Sequence, residues 1–157
     1  MTVITHARRK SNLAKMIDSA GGISVGKAVA QANANIDTMR AEAMLVLEAH
    51  VAALEAIQKP RTPDEVPDRL SEAYQAATGV IDAAGPFDLK YLCQAASGLC
   101  DLIDGARHGQ SFDWRIVIVH AQSLRMLQNL PQDEFEARAR IVDSLREVIE
   151  RKLFQID

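Results

Sequence analysis

The sequence predicts an all-α protein, an up-and-down antiparallel helical bundle with one overlong N-terminal helix and a short helical segment ahead of it. Three observations carry that reading. Apolar residues make up 48% of the 157 positions while aromatics make up only 4%, so Ala and Leu supply most of the core. Val29, Ala32, Ile36, Met39, Ala43, Val46, His50, Ala53 and Ile57 recur three and four apart, the spacing of one helix face. Downstream, Pro and Gly separate four shorter stretches with the same periodicity. A chain of this length buries roughly two-thirds of its unfolded surface in one core.

Residues 1–23 read as a mobile basic segment. Ser11 or Asn12 caps a short helix carrying Leu13, Met16, Ile17 and Ala20, which Gly21-Gly22 ends. Residues 24–157 read as a single bundle domain. Ser24 is the N-cap of the long helix, which runs to about Lys59 and extends about 53 Å at 1.5 Å per residue. No Gly or Pro interrupts it after Gly26, and Leu47, Val51 and Leu54 widen its stripe in the second half. Its first half, with a thin stripe through Val25, Val29, Ala32, Ile36 and Met39, is expected to pack on another chain or to stand clear of the bundle.

Pro60, Pro63 and Pro67 break the chain, with Thr62 as the next N-cap and Asp64 and Glu65 in the first turn. The second helix carries Val66, Leu70, Ala73, Tyr74, Ala77, Ile81 and Ala84 and stops at Gly85-Pro86. The third runs from about Phe87 to Arg107, and the fourth from Phe112 to Asn129 behind a Ser111 cap. The run Ile116-Val117-Ile118-Val119 also suits a strand, but no second strand is at hand to pair with it, and Leu124 and Leu127 extend helical spacing. Pro131 is placed at the first position of a fifth helix with the face Phe135, Val142, Leu145, Val148, Ile149 and Leu153. Short connections imply antiparallel neighbours.

The net charge of −3 argues against nucleic acid as a partner, because such domains carry a basic excess. The cluster Arg8-Arg9-Lys10 reads as a solvated tail or, alternatively, as an anion-touching patch. Cys93 and Cys100 lie seven apart on one helix, about 10 Å along its axis, too far for a disulfide, and read as reduced core thiols. No apolar run approaches the ~20 residues that span a bilayer, so the expectation is a cytoplasmic protein without a transmembrane segment.

Four histidines were weighed for chemistry. A helical bundle can serve as a phosphotransfer domain if a solvent-reachable imidazole sits in mid-helix beside a cation. His120 lies in Val119-His120-Ala121-Gln122-Ser123-Leu124-Arg125. The histidine phosphotransfer pattern places Lys three residues after the His and Gly after that, and here Ser123 and Leu124 stand there. Val117, His120, Leu124 and Leu127 share one face, which makes His120 a core histidine with one hydrogen bond and a phosphoacceptor only as the alternative. His50, the weaker alternative, occupies a seam position of the long helix, where a polar residue can specify the register of an oligomer. His6 sits in the tail and His108 near a helix end. Asp101 with Asp104, and Glu134 with Arg138, read as solvated helix surface. The spacings match no metal set, no phosphate-binding loop and no nucleophile elbow. Neither a cofactor nor an enzyme is expected.

The opening stretch Thr2-Val3-Ile4-Thr5 with Ala7-Arg8-Arg9, then Leu13-Ala14 and Gly21-Gly22-Ile23 leading to Ala28-Val29 and Ala32-Asn33, resembles small accessory proteins of alphaproteobacterial chemotaxis operons, the CheE type. The resemblance covers the first third of the chain and transfers no site residues. It implies a non-catalytic adaptor in chemotaxis or two-component signalling, whose partner is a signalling protein or a second copy of the chain.

Overall fold

A computed structural model of the chain describes residues 22–107 and 112–153. The expected Leu13–Ala20 helix, the Arg8-Arg9-Lys10 cluster, His6, His108 and the Ser111 cap lie outside them. The described residues form five α-helices and no strand: α1 Val25–Ala56, α2 Val66–Ala84, α3 Lys90–Arg107, α4 Arg115–Asn129 and α5 Phe135–Leu153. The all-α bundle is thus as the periodicity predicts, and the β-branched run at Ile116–Val119 is helical. The chain divides into two compact units, Met1–Asp37 and Thr38–Asp157. The first contributes the N-terminal stretch of α1 and the second holds the core.

Within the second unit the central element is α3, which packs against α2, α4 and α5. Leu92, Ala95, Ala96, Leu99, Leu102 and Ile103 are buried along it. Its tightest partner, α2, offers Ala73, Ala76, Ala77, Val80, Ala83 and Ala84, and short side chains let two helix axes approach closely. The most central helix is thus not the longest and most regular one. α1 gives Leu47, Val51 and Leu54 to the core as fully buried residues, with Ala43 and Met44 packed partly buried against it.

Each helix boundary has a local cause. At the start of α1, Ser24 Oγ accepts the Lys27 N–H at 3.3 Å. The helix ends at Ala56 rather than Lys59, because Pro60 disfavours helical backbone in the residue before it. Thr62 makes no side-chain cap; a 3₁₀ turn, Pro63–Glu65, precedes α2, and the Glu65 carboxylate accepts the Arg61 N–H at 3.0 Å. α3 starts at Lys90, not Phe87, because a second 3₁₀ turn covers Gly85–Phe87 and Asp88 takes the left-handed backbone, φ 55°, which Asp tolerates better than most residues. α4 starts at Arg115, where the Asp113 carboxylate accepts that residue's N–H at 3.0 Å.

The largest departure is at the α4–α5 corner. Pro131 does not open α5, which begins four residues later at Phe135. Arg138, expected on the solvated surface, is 2% exposed. Its Nε donates to the Pro131 carbonyl at 2.9 Å and its Nη2 to the Leu130 carbonyl. Those carbonyls lie just past the last turn of α4, where backbone C=O groups lack helical partners and the helix dipole favours a cation.

Two substitutions probe this architecture by chemical denaturation. Leu99→Ala, at a fully buried position of α3, is expected to cost about 2–5 kcal/mol. Arg138→Ala removes the donor to the Leu130 carbonyl and one of the two donors to the Pro131 carbonyl, which keeps the Glu134 N–H at 3.2 Å, and is expected to cost on the order of 2 kcal/mol. Arg138→Lys is expected to recover little of that, since one ammonium does not reproduce the planar fork that reaches both oxygens.

Candidate functional site

In α1 the periodic stripe and the buried face are different faces. Burial takes Leu47, Val51 and Leu54. The stripe is offset by roughly a quarter turn from them, and most of its members stay open. In the first unit Val25 is 81% exposed, Val29 52% and Ile36 37%, and Ala32 is exposed beside them. In the second unit Met39 is 60% exposed and Val46 44%, while Ala43 and His50 are half-buried. Of the five residues expected to contact a partner, Val25, Val29, Ala32 and Ile36 are exposed in the first unit and Met39 is exposed in the second.

The second half of α1 is fixed by charge as well as by its three core residues. Arg125 of α4 reaches Glu48 through Nη1 at 2.5 Å and Glu55 through Nη2 at 2.7 Å. Gln128 Nε2 donates to Glu48 at 2.8 Å. The hydrogen bond from Arg125 chiefly holds the Glu48 carboxyl below its usual range, and bonds to Glu55 and Glu48 push the Arg125 guanidinium upward. Nearer the middle of the helix, the Arg40 guanidinium lies 5.1 Å from the centre of the Phe87 ring, a cation–π distance. This clamp was not read from the sequence. Its trace there is Glu48 and Glu55, seven apart and hence on one face.

His50 lies between α1 and α2. A Cβ added to Gly79 would overlap its ring, so the glycine is the notch in which the imidazole rests. The ring borders a groove of about 460 Å³ with Ala53, Ile57, Arg69, Glu72 and Gln75. Arg69 there is paired with Glu72 at 2.8 Å.

His120 is completely buried. Its Nδ1 lies 2.8 Å from the Ile116 carbonyl one turn back, and since a carbonyl only accepts, Nδ1 carries the proton. Nε2 is then a lone pair with no partner. A Cβ on Gly98 would lie 3.8 Å from it and 2.6 Å from Ile149 Cδ1, so α3 and α5 close over the nitrogen that a phosphoryl donor would need to reach. This burial withdraws the phosphotransfer alternative at His120 and leaves it as the core histidine with one hydrogen bond.

Neither cysteine is in a disulfide, and both are half-buried. Cys100 Sγ is 4.0 Å from Thr78 Oγ1 of α2, whereas Cys93 borders a groove of about 400 Å³ between α3 and α5. Burial pushes the Cys93 thiol up, away from the reactive thiolate. Among the described residues no cluster of His, Cys, Asp or Glu is placed to hold a metal ion. No helix among them is long and apolar enough to cross a membrane. No protein-family model, curated protein or solved structure matches the chain.

Burial holds the His120 pKa below the ordinary histidine value of 6.5, and the sign of its effect on stability follows. The unfolded chain takes up a proton below about pH 6.5 while the folded chain resists it, so the stability is complete above that pH and is lost on acidification. Urea midpoints are expected to fall between pH 7 and pH 5, and His120→Leu is expected to flatten that slope.

Proposed function

We propose that this is a non-catalytic interaction protein whose working surface is the open edge of α1. The observation that carries the reading is the exposure of Val25, Val29 and Ile36 in the first unit and of Met39 and Val46 in the second, all of them on α1. A bulky aliphatic side chain moved out of water contributes about 1.5–3 kcal/mol, and such contiguous apolar surface typically marks an interface. Helix α1 has 32 residues, whereas the others have 15–19. Residues 25–37 of it belong to the first unit, and the core residues all lie in the second.

The rest of the molecule supports the same reading. The central histidine is sealed, and the Arg125 ion pairs with Glu48 and Glu55 tie α4 to α1 while the Arg69–Glu72, Arg146–Asp143 and Arg151–Glu147 pairs lie along single helices. The chemotaxis or two-component setting belongs to the proposal through the resemblance of the first third of the chain to CheE-type accessory proteins. In that setting the chain is an adaptor at the cytoplasmic face of a signalling system, and its partner is a signalling protein or a second copy.

Ile36→Asp tests the reading. The side chain is exposed, so the melting temperature is expected to stay within about 2 °C of the parent, in line with surface substitutions generally. Light scattering and cross-linking with purified signalling partners are expected to lose the complexes that the parent forms. If parent and variant behave alike in both assays, the edge has no binding role.

A further inference from the structure

The groove between α3 and α5 runs up to a buried nitrogen that lacks a donor, and we infer that it takes a small neutral molecule with an apolar body and one hydroxyl group. The site lies wholly within the second unit and is independent of the edge of α1. Nδ1 of His120 is committed to the Ile116 carbonyl, so Nε2 offers a lone pair, and that lone pair has no partner among the described residues. A buried acceptor left unpaired costs about 1–3 kcal/mol, and a hydroxyl brought to it recovers part of that. His120 is 0% exposed, so the donor has to arrive through a gap between helices.

Gly98 marks that gap. The point at which a Cβ on Gly98 would stand is 3.8 Å from Nε2, and the δ-methyl of Ile149 covers it. Gly98 and Ile149 both line the groove of about 400 Å³, so this methyl occupies the spot from which a molecule in the groove would reach the nitrogen. Ile149 is half-buried, and on its α4 side α5 borders a second groove, of about 270 Å³. Turning the isoleucine to another staggered rotamer admits a hydroxyl, whereas a phosphoryl group carried by another protein is too bulky for the same gap. The walls set the rest of the ligand. Ala95, Val142 and Leu145 are buried and apolar, and burial pushes the adjoining Cys93 thiol up, the mark of a poorly hydrated wall. At the mouth, Asp101 of α3 and Arg146 of α5 carry opposite charges, so the entrance favours neither anion nor cation. A groove of this size, toward the small end of ordinary ligand pockets, fits a single substituted ring.

Titration of the full chain with 4-ethylphenol, followed by NMR of the backbone amides and the histidine ring nitrogens, tests the site. The methyl ether, 4-ethylanisole, keeps the same ring and ethyl group without the donor. The phenol is expected to shift the amides of Ala95, Gly98, Val142 and Ile149 and to move the His120 Nε2 resonance upfield. The ether is expected to bind about tenfold more weakly, the loss of one hydrogen bond. Ile149→Val removes only the δ-methyl and is expected to tighten the phenol about fourfold, since no buried methyl then has to be moved. His120→Leu is expected to lower the phenol to the affinity of the ether. Equal binding of phenol and ether by the parent, or phenol binding untouched by His120→Leu, would overturn the contact between hydroxyl and nitrogen. Amides around the groove that stay still in both the parent and Ile149→Val, up to the solubility limit of the phenol, would overturn the site itself.

Discussion

Close approach of small-faced helices around α3 is the constraint on which the rest of the structure depends. With so few aromatics, the chain fills its interior by bringing backbones together rather than by inserting large side chains. Alanines dominate the α2 side of that contact, and Gly98 lets α5 lay Ile149 against the α3 backbone. A close-packed interior of short side chains leaves little slack, so polar groups enter it only where the geometry is settled. His120 gives one nitrogen to a carbonyl one turn away and leaves the other dry. Arg138 enters to donate to the Leu130 carbonyl at the end of α4 and, beside the Glu134 N–H, to that of Pro131.

Helix α1 stands in a different relation to this core. Three leucine and valine side chains, a carboxylate–guanidinium clamp and a cation over Phe87 bind its second half. None of these uses the residues that recur most regularly along it. A helix can present two faces at once, and here Ala43, His50 and Ile57 of the regular stripe lean on the fold while Met39 and Val46 stay open. The part of the regular spacing that stays exposed is the physical ground for the external role proposed for α1.

The same division explains what was legible in the sequence. Helix number, order and approximate bounds followed from periodicity and from Pro and Gly, because those signals are local. The start of α3 was misjudged by three residues, since the left-handed turn at Asp88 carries no glycine to announce it. The start of α5 was misjudged because Pro131 lends its carbonyl to Arg138 instead of opening the helix. Arg138 itself looked like surface, and only the α4–α5 corner shows why a charge is held inside. His120 was legible as a core residue because its apolar neighbours lie three, four and seven residues away. The identity of the central helix was not legible, because length and regularity favoured α1 while centrality depends on which faces meet in space.

One local fit bears on all of this. The imidazole of His50 sits where the Cβ of any other residue at position 79 would be. Such a seat works like a key in a slot: turning α1 about its own axis would drive the ring into the spine of its neighbour. The azimuth at which Val46 looks outward is therefore indexed by a single missing methyl group. The contact surface proposed for α1, built this way, arrives pre-aimed, and a partner loses little freedom in finding the angle.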